Sequence, residues 1–412
     1  MPHKIKRFRK RWLFAGAAAV MLILAFLIWF GGLSLWRSKA FLAQLEPVAH
    51  RSFEITRDMS GDYVFHQNDD TDFRILQLTD IHLGGSFVTQ RKDRKAMQAV
   101  YSLAAAVQPD LIVITGDLAY PIPIQTLSRN NLNPMLMLCD LMNAIDIPWC
   151  FVYGNHDTEW IATHPVKEIN YLFANSQTCL FAPDYSVESG RSNQLIQLRN
   201  ADGSLNQALV LLDSNSYASL LLNDYDAIHE DQVAWYEKRI TELSALEGHT
   251  VRSLLFFHIP LQEFQTAYDL YRAGRPDVTY FYGSIGEANE KIACSDHPST
   301  LFDTAVRLGS TQAMFIRHDH LNTLSVAYKG IRLTYGLSID YLAYPGIGRQ
   351  TAQRGGTCIT VHPDGSIEID PILLETSHRN KRKAPWRLPR RLVIHPRLER
   401  GTPCLKGRCS AN

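Results

Sequence analysis

The chain has 412 residues, of which 46% are hydrophobic and 20% charged, and its net charge is +1. That length supports a core of ordinary size and excludes a small scaffold that needs staples; with no fixed-period repeat, a solenoid or propeller is excluded as well. Seven cysteines without any C-x-x-C pair exclude a zinc-cluster pattern and a dense disulfide framework.

Residues 1–11 form a basic segment, with Lys4, Lys6, Arg7, Arg9, Lys10 and Arg11 and no acid. Trp12 to Trp36 follows as an uncharged, mostly apolar run of 25 residues. About 20 helical residues cross a bilayer core, so the run is expected to be a transmembrane anchor, with Trp12, Trp29 and Trp36 toward its interfaces. Only Arg37 and Lys39 follow closely. The positive-inside bias then predicts a single-pass protein of the cell membrane, with everything after residue 40 on the extracytoplasmic side. A cleaved leader is the alternative, because Ser38-Lys39-Ala40 resembles a cleavage site, although the run is longer than the ~7–15 residues of a signal core.

Residues 37–72 are mixed and polar and read as a linker. From Phe73, short apolar runs of strand length alternate with helix-like stretches. The runs are Phe73–Leu78, Leu111–Thr115, Trp149–Tyr153, Leu209–Leu212, Leu254–Phe257 and Ala313–Ile316; helical spacing marks Arg91–Val107, Asn130–Ala144 and Glu230–Leu243. This alternation predicts an α/β fold. Thr323–Tyr328 with Ile331–Tyr335, and Cys358–Val361 with Ser366–Ile369, are separated by the turn pairs Lys329-Gly330 and Asp364-Gly365 and read as hairpins. One domain is thus expected over residues 73–376. Residues 377–412 hold eleven Lys/Arg against Glu399 alone and form a basic tail, in which Cys404 and Cys409 can close a small loop in an oxidising space. With both ends basic, the middle of the chain carries a net charge of about −17, a balance that suits cation binding as well as simple solvation.

Five of the apolar runs stop at metal-ligating or titratable side chains. These are Asp80-Ile81-His82, Gly116-Asp117, Gly154-Asn155-His156-Asp157, His258 and His318-Asp319-His320. In α/β sheets ligands sit beyond the carboxyl ends of strands, so folding gathers these loops on one rim. Carboxylates and neutral imidazoles suit zinc or first-row divalent ions. Residues i and i+2 at a strand end point the same way, so Asp80 with His82, and His318 with His320, can each place two ligands on one ion. Asp117 has two oxygens with which to bridge ions, and Gly116 and Gly154 allow close backbone approach. Each fragment alone has a bland reading, His258 as a core histidine and Asp-x-His as solvated polarity; their joint order at successive strand ends is what points to a metal site.

In these motifs the sequence resembles the calcineurin-like metallophosphoesterase family, with its D-x-H, G-D, G-N-H-D/E, lone H and G-H-x-H pattern, over Arg74 to about Ile369. The branch it most resembles is the purple-acid-phosphatase-like one with D-x-H at the first motif. That resemblance implies a four-layer α/β/β/α sandwich. It implies two divalent ions (Mn, Fe or Zn), with Asp80, His82 and His320 on the first, Asn155, His258 and His318 on the second, and Asp117 between them. It also implies a catalytic His156 over the substrate, oriented by Asp157. The implied activity is hydrolysis of phosphate esters, monoesters favoured, by metal-activated water. True purple acid phosphatases lack a histidine in the first motif; here His82 is present and Leu118 and Ala119 follow Gly116-Asp117, so a purple charge-transfer centre is not expected.

The last motif opens with Arg317 where the family has Gly. A cation beside two divalent ions is repelled, so the side chain is expected to point away from the site, toward solvent or a carboxylate; gripping a phosphate and distorting His318 are the alternatives. The alternatives to the leading function are a catalytically weak phosphate-binding or scaffold protein of the same fold and a phosphodiesterase acting on lipid or wall phosphates. Trp386 is the single Phe, Tyr or Trp in the basic tail and no known nucleic-acid module is present, so no nucleic-acid partner is expected.

Overall fold

The computed structural model describes residues 2–219 and 224–374, without the side chains of residues 2–13 and 27–34. The basic tail of residues 377–412, with Cys404 and Cys409, lies outside them. The helices are α1 Pro2–Leu42, α2 Gln90–Val107, α3 Pro123–Thr126, α4 Leu132–Ile145, α5 Val166–Ala174, α6 Glu230–Glu247, α7 Gln262–Arg272 and α8 Leu301–Leu308. The strands are β1 Glu54–Arg57, β2 Tyr63–His66, β3 Phe73–Leu78, β4 Leu111–Thr115, β5 Trp149–Val152, β6 Gln194–Arg199, β7 Leu205–Leu211, β8 Ser253–Phe256, β9 Val278–Tyr282, β10 Thr311–Ile316, β11 Ser325–Tyr328, β12 Ile331–Tyr335, β13 Gly355–Val361 and β14 Ile367–Leu373.

They form two sheets. The small one runs β14-β13-β3-β4-β5 and the large one β1-β2-β6-β7-β8-β10-β12-β11-β9. In the small sheet β3, β4 and β5 are parallel neighbours; in the large sheet β8, β10 and β12 are. A strand covered on both faces reads as an unbroken apolar run, and the packing explains why these do. Ile75, Leu111, Val113 and Cys150 of the small sheet meet Leu209, Leu254, Phe256 and Phe315 of the large one in a core between the sheets. The alternate residues Leu76, Ile112, Ile114 and Phe151 face the other way, against Val100 and Leu103 of α2, Leu138 of α4 and Phe173 of α5. On the large sheet Leu255, Met314 and Ile316 turn toward Tyr236 of α6, Phe264 of α7 and Phe302 of α8.

The expected linker is corrected. The chain does not run free between residues 37 and 72: Leu42 and Val48 join the core beside α4, and the Val48 N–H donates to the Ile145 carbonyl (2.9 Å). The hairpin β1–β2 then extends the large sheet, with β2 parallel to β6. Its edge strand Glu54–Arg57 has no buried residue, so the apolar alternation that announces a strand is missing from it. Among the described residues, no helix is long and apolar enough to cross a membrane; residues 12–13 and 27–34 of the Trp12–Trp36 run are among those whose side chains are not described.

Polar groups stitch the strand ends under the rim. Gln77 Nε2 donates to Thr115 Oγ1 (2.9 Å) and Thr79 Oγ1 to the Thr115 carbonyl (2.9 Å). Across the seam, the Ile339 N–H donates to the Thr79 carbonyl (3.1 Å).

Candidate metal centre

Six parallel strands, three from each sheet, end at one rim. β3 delivers Asp80 and His82, β4 delivers Asp117, and β5 delivers Asn155 and His156. β8 delivers His258 and β10 delivers His318 and His320, while the segment after β12 brings up Asp340. Ligand atoms of Asp80, His82, Asp117 and His320 all lie within 4.8 Å of one another, and all four residues are buried. His258 stands on the other side of Asp117, its Nε2 3.2 Å from Asp117 Oδ2. Asp117 Oδ2 is also 3.0 Å from His82 Nε2, so one carboxylate oxygen faces both halves of the cluster. The other oxygen accepts the His156 N–H (3.0 Å).

The backbone explains the convergence differently from strand alternation. Asp80, His82, Asp117 and His318 all have positive φ (46°, 47°, 54° and 78°), so the side chains are aimed by left-handed turns just beyond the strands. Such turns are a recurrent cost at functional sites. The two glycines act as the sequence suggests: a Cβ on Gly116 would overlap the His258 ring, and one on Gly154 would overlap Asp117.

The donor set fits a cation. His258 Nδ1 donates to the Thr115 carbonyl (2.9 Å), which leaves the Nε2 lone pair pointing at Asn155 Oδ1 (3.2 Å) and Asp117 Oδ2. Asn155 keeps its oxygen inward because its Nδ2 donates to Tyr217 Oη (2.8 Å). Acceptors facing acceptors at this spacing repel unless a proton or a metal ion lies between them. Burial pushes His258 down, but the Asp117 carboxylate outweighs it and carries the imidazole up to about 9. His82 likewise rises against burial, through Asp340 and Asp117. Asp117 is held well below the usual carboxylate range despite burial, by His258 and His156. His318 behaves oppositely: burial and the nearby His258 keep it neutral, and its buried Nδ1 has no hydrogen-bond partner. A neutral imidazole with an unpaired buried nitrogen is what a metal ligand requires.

One expected role is corrected. Asp157 does not touch His156. Its Oδ1 accepts the Ala119 N–H (2.8 Å) and its Oδ2 the Gly154 N–H (2.8 Å), so it ties the β4 and β5 loops together. Burial and the neighbouring Asp117 push its carboxyl up to about 8. The partner of His156 is Glu159, whose Oε1 lies 2.8 Å from His156 Nδ1. Glu159 was visible only as an acid three residues beyond His156, without a motif to single it out. His156 itself is part-exposed at the rim, its ring against those of Tyr120 (centroids 4.6 Å apart) and His82 (5.7 Å).

Arg317 corrects the expectation that its side chain points away. It is fully buried beneath the cluster, and its Nε donates to Asp80 Oδ2 (2.6 Å). Its Nη1 donates to the carbonyls of Asn322 and Gly336 (2.7 Å to the latter). Asp340, which no motif announced, lies on the opposite side of the same ligands. Its Oδ2 accepts from His320 Nδ1 (2.9 Å), and its Oδ1 lies 3.2 Å from His82 Nδ1, a charge contact without hydrogen-bond alignment.

Comparison with known proteins bears on this arrangement. A family model described as calcineurin-like phosphoesterase matches residues 73–283. The chain is 27% identical over 311 residues to probable inactive purple acid phosphatase 29 of Arabidopsis thaliana, spanning 69% of this chain and 76% of that one. It is 27% identical over 280 residues to phosphatase DCR2 of Saccharomyces cerevisiae, spanning 64% of this chain and 46% of that one. A solved dimetal phosphatase from Danio rerio aligns over 71% of this chain and 94% of its own with a TM-score of 0.48 and 10% identity.

Proposed function

The chain belongs to the calcineurin-like phosphoesterase family, and on that premise we propose that it is a metal-dependent hydrolase of phosphate esters, monoesters above diesters, held at a membrane by its first helix. The observation that carries the reading is the buried convergence of Asp80, His82, Asp117 and His320, with Asn155, His258 and His318 beyond Asp117. Divalent ions (manganese, iron or zinc) would be held by these seven residues; when bound they supply Lewis-acid charge and acidify water.

The chain's own residues do the rest. Asp117 keeps the two halves in register through one oxygen and fixes the His156 loop through the other. His156 stands at the open side of the rim, where it can donate a proton to the leaving alkoxide or stabilise charge on the phosphoryl oxygens. Glu159 holds its Nδ1, so that Nε2 is the nitrogen presented to substrate. The rigid, buried ligand shell excludes bulk water below the reacting group.

The membrane reading rests on α1, where apolar side chains are left in the open: Phe14 is 74% and Leu22 is 72% exposed. Six basic residues before Trp12 support an extracytoplasmic catalytic domain. Protease treatment of intact cells should remove the tail; protection until lysis would reverse this topology.

A panel of an aryl phosphate monoester, an aryl diester, a nucleotide and a lipid phosphate, run with added manganese, zinc or iron, tests the activity. Turnover of the monoester above the diester is expected. Metal binding without turnover would favour the second reading, a catalytically weak phosphate-binding protein. Two observations lend that reading weight: the Arabidopsis relative is named probable inactive, and Arg317 already occupies one oxygen of Asp80.

A further inference from the structure

The three residues proposed for the first ion differ from the others in what stands behind them. Asp80 is held by the buried guanidinium of Arg317, His320 by the buried carboxylate of Asp340, and His82 lies against that same carboxylate. Behind the second-ion residues the partners are neutral. Asn155 has the Tyr217 hydroxyl and His258 has a backbone carbonyl.

Arg317 and Asp340 are themselves anchored. The Arg317 fork is spread over Asp80 Oδ2 and the carbonyls of Asn322 and Gly336, so it cannot follow Asp80 if the carboxylate turns. It leaves Asp80 one oxygen for the site. Asp340 Oδ1 accepts the N–H groups of Leu342 (2.6 Å) and Ala343 (3.0 Å), which leaves Oδ2 for His320. A carboxylate on Nδ1 places the imidazole proton there and frees Nε2 as the ligand atom. The two additions are of opposite charge and flank one ion position, so they orient its ligands without changing the net charge of the site.

We propose that Arg317 and Asp340, which lie outside the ligand set, are positioning residues for the first ion and make it the tightly held one, while the second ion exchanges. This rests on the two-metal reading above.

Asp340→Asn is the sharpest probe. The two backbone N–H groups claim the amide oxygen, so the amide nitrogen must face His320 Nδ1. His320 is then driven to the tautomer with its proton on Nε2, which cannot bind metal. Manganese alone is titrated into the metal-free full-length protein, with free ion followed by electron paramagnetic resonance and retained ion counted after dialysis.

The parent should bind two ions in separate steps and keep one. Asp340→Asn should weaken the tight step about 10- to 100-fold and leave the weak step in place, with metal-free melting close to the parent's. Arg317→Lys, which keeps the charge but loses the fork, is the second variant and should weaken the same step by a smaller factor. Parent ions that leave together, or variants that bind manganese as the parent does, would overturn the proposal. A parent that binds no ion at all would overturn the two-metal reading and this one with it.

Discussion

The small and large sheets divide the work of the site unequally. The small sheet contributes Asp80, His82, Asp117, Asn155 and His156 from three successive parallel strands, within 77 residues of chain. To the ligand set the large sheet contributes imidazoles only, His258, His318 and His320, from strands separated by helices α7 and α8 and strand β9. Both carboxylates that enter the ligand set come from the small sheet, and Arg317 reaches Asp80 from the large one. Charge is therefore supplied by one sheet and adjusted by the other, and Asp117 is the point at which they meet.

The strongest way to break that division is at the meeting point. Both oxygens of Asp117 are acceptors, one for the His156 N–H and one for the face toward the imidazoles, so an amide has no orientation that serves both. Asp117→Asn should abolish hydrolysis and lower the metal content of the purified protein, read by elemental analysis; normal metal content would show that the sheets are coupled elsewhere. A milder break is His156→Ala, on the small sheet but outside the ligand set. Turnover should fall about 100- to 10,000-fold with metal content unchanged, and metal loss would move His156 into the ligand set.

The smallest effect lies at the opposite end of the small sheet. His362 Nδ1 lies 2.7 Å from Asp72 Oδ1, and this bond raises the imidazole above its ordinary value. A raised folded-state pKa means that the stabilisation is full below the ordinary histidine range and is lost as pH rises through the raised value. His362→Ala should thus lower stability by at most about 1 kcal/mol at pH 5 for so exposed a pair, and by nothing measurable at pH 9. Thermal melts at the two pH values check it, and an equal loss at both would mean a packing effect instead.

What is legible in the sequence follows the same division. Strands β3, β4, β8 and β10 are legible because most of their residues on both faces are buried and apolar, and the ligating types at their ends stand out against that background. The edge strands β1 and β9 are not, because solvent on one side removes the pattern. Glu159 and Asp340 were illegible for another reason: a carboxylate that steadies a histidine has no required spacing from it, and Asp340 meets His320 only through the fold. Arg317 was noticed in the sequence, but its direction was set by two carbonyls and a carboxylate that folding brings beneath it.

The left-handed backbone at Asp80, His82, Asp117 and His318 constrains what substitution can reveal there. Asp, Asn and His are the non-glycine residues most at ease in that conformation, so the types that suit coordination also suit the turn. A β-branched or bulky replacement at any of the four would pay a backbone penalty on top of any lost ligand. Random mutagenesis would rank these positions as intolerant even if no metal ever bound. Asp↔Asn and His↔Asn exchanges hold the backbone demand nearly constant, and only such pairs can separate the chemistry of the site from the cost of its turns.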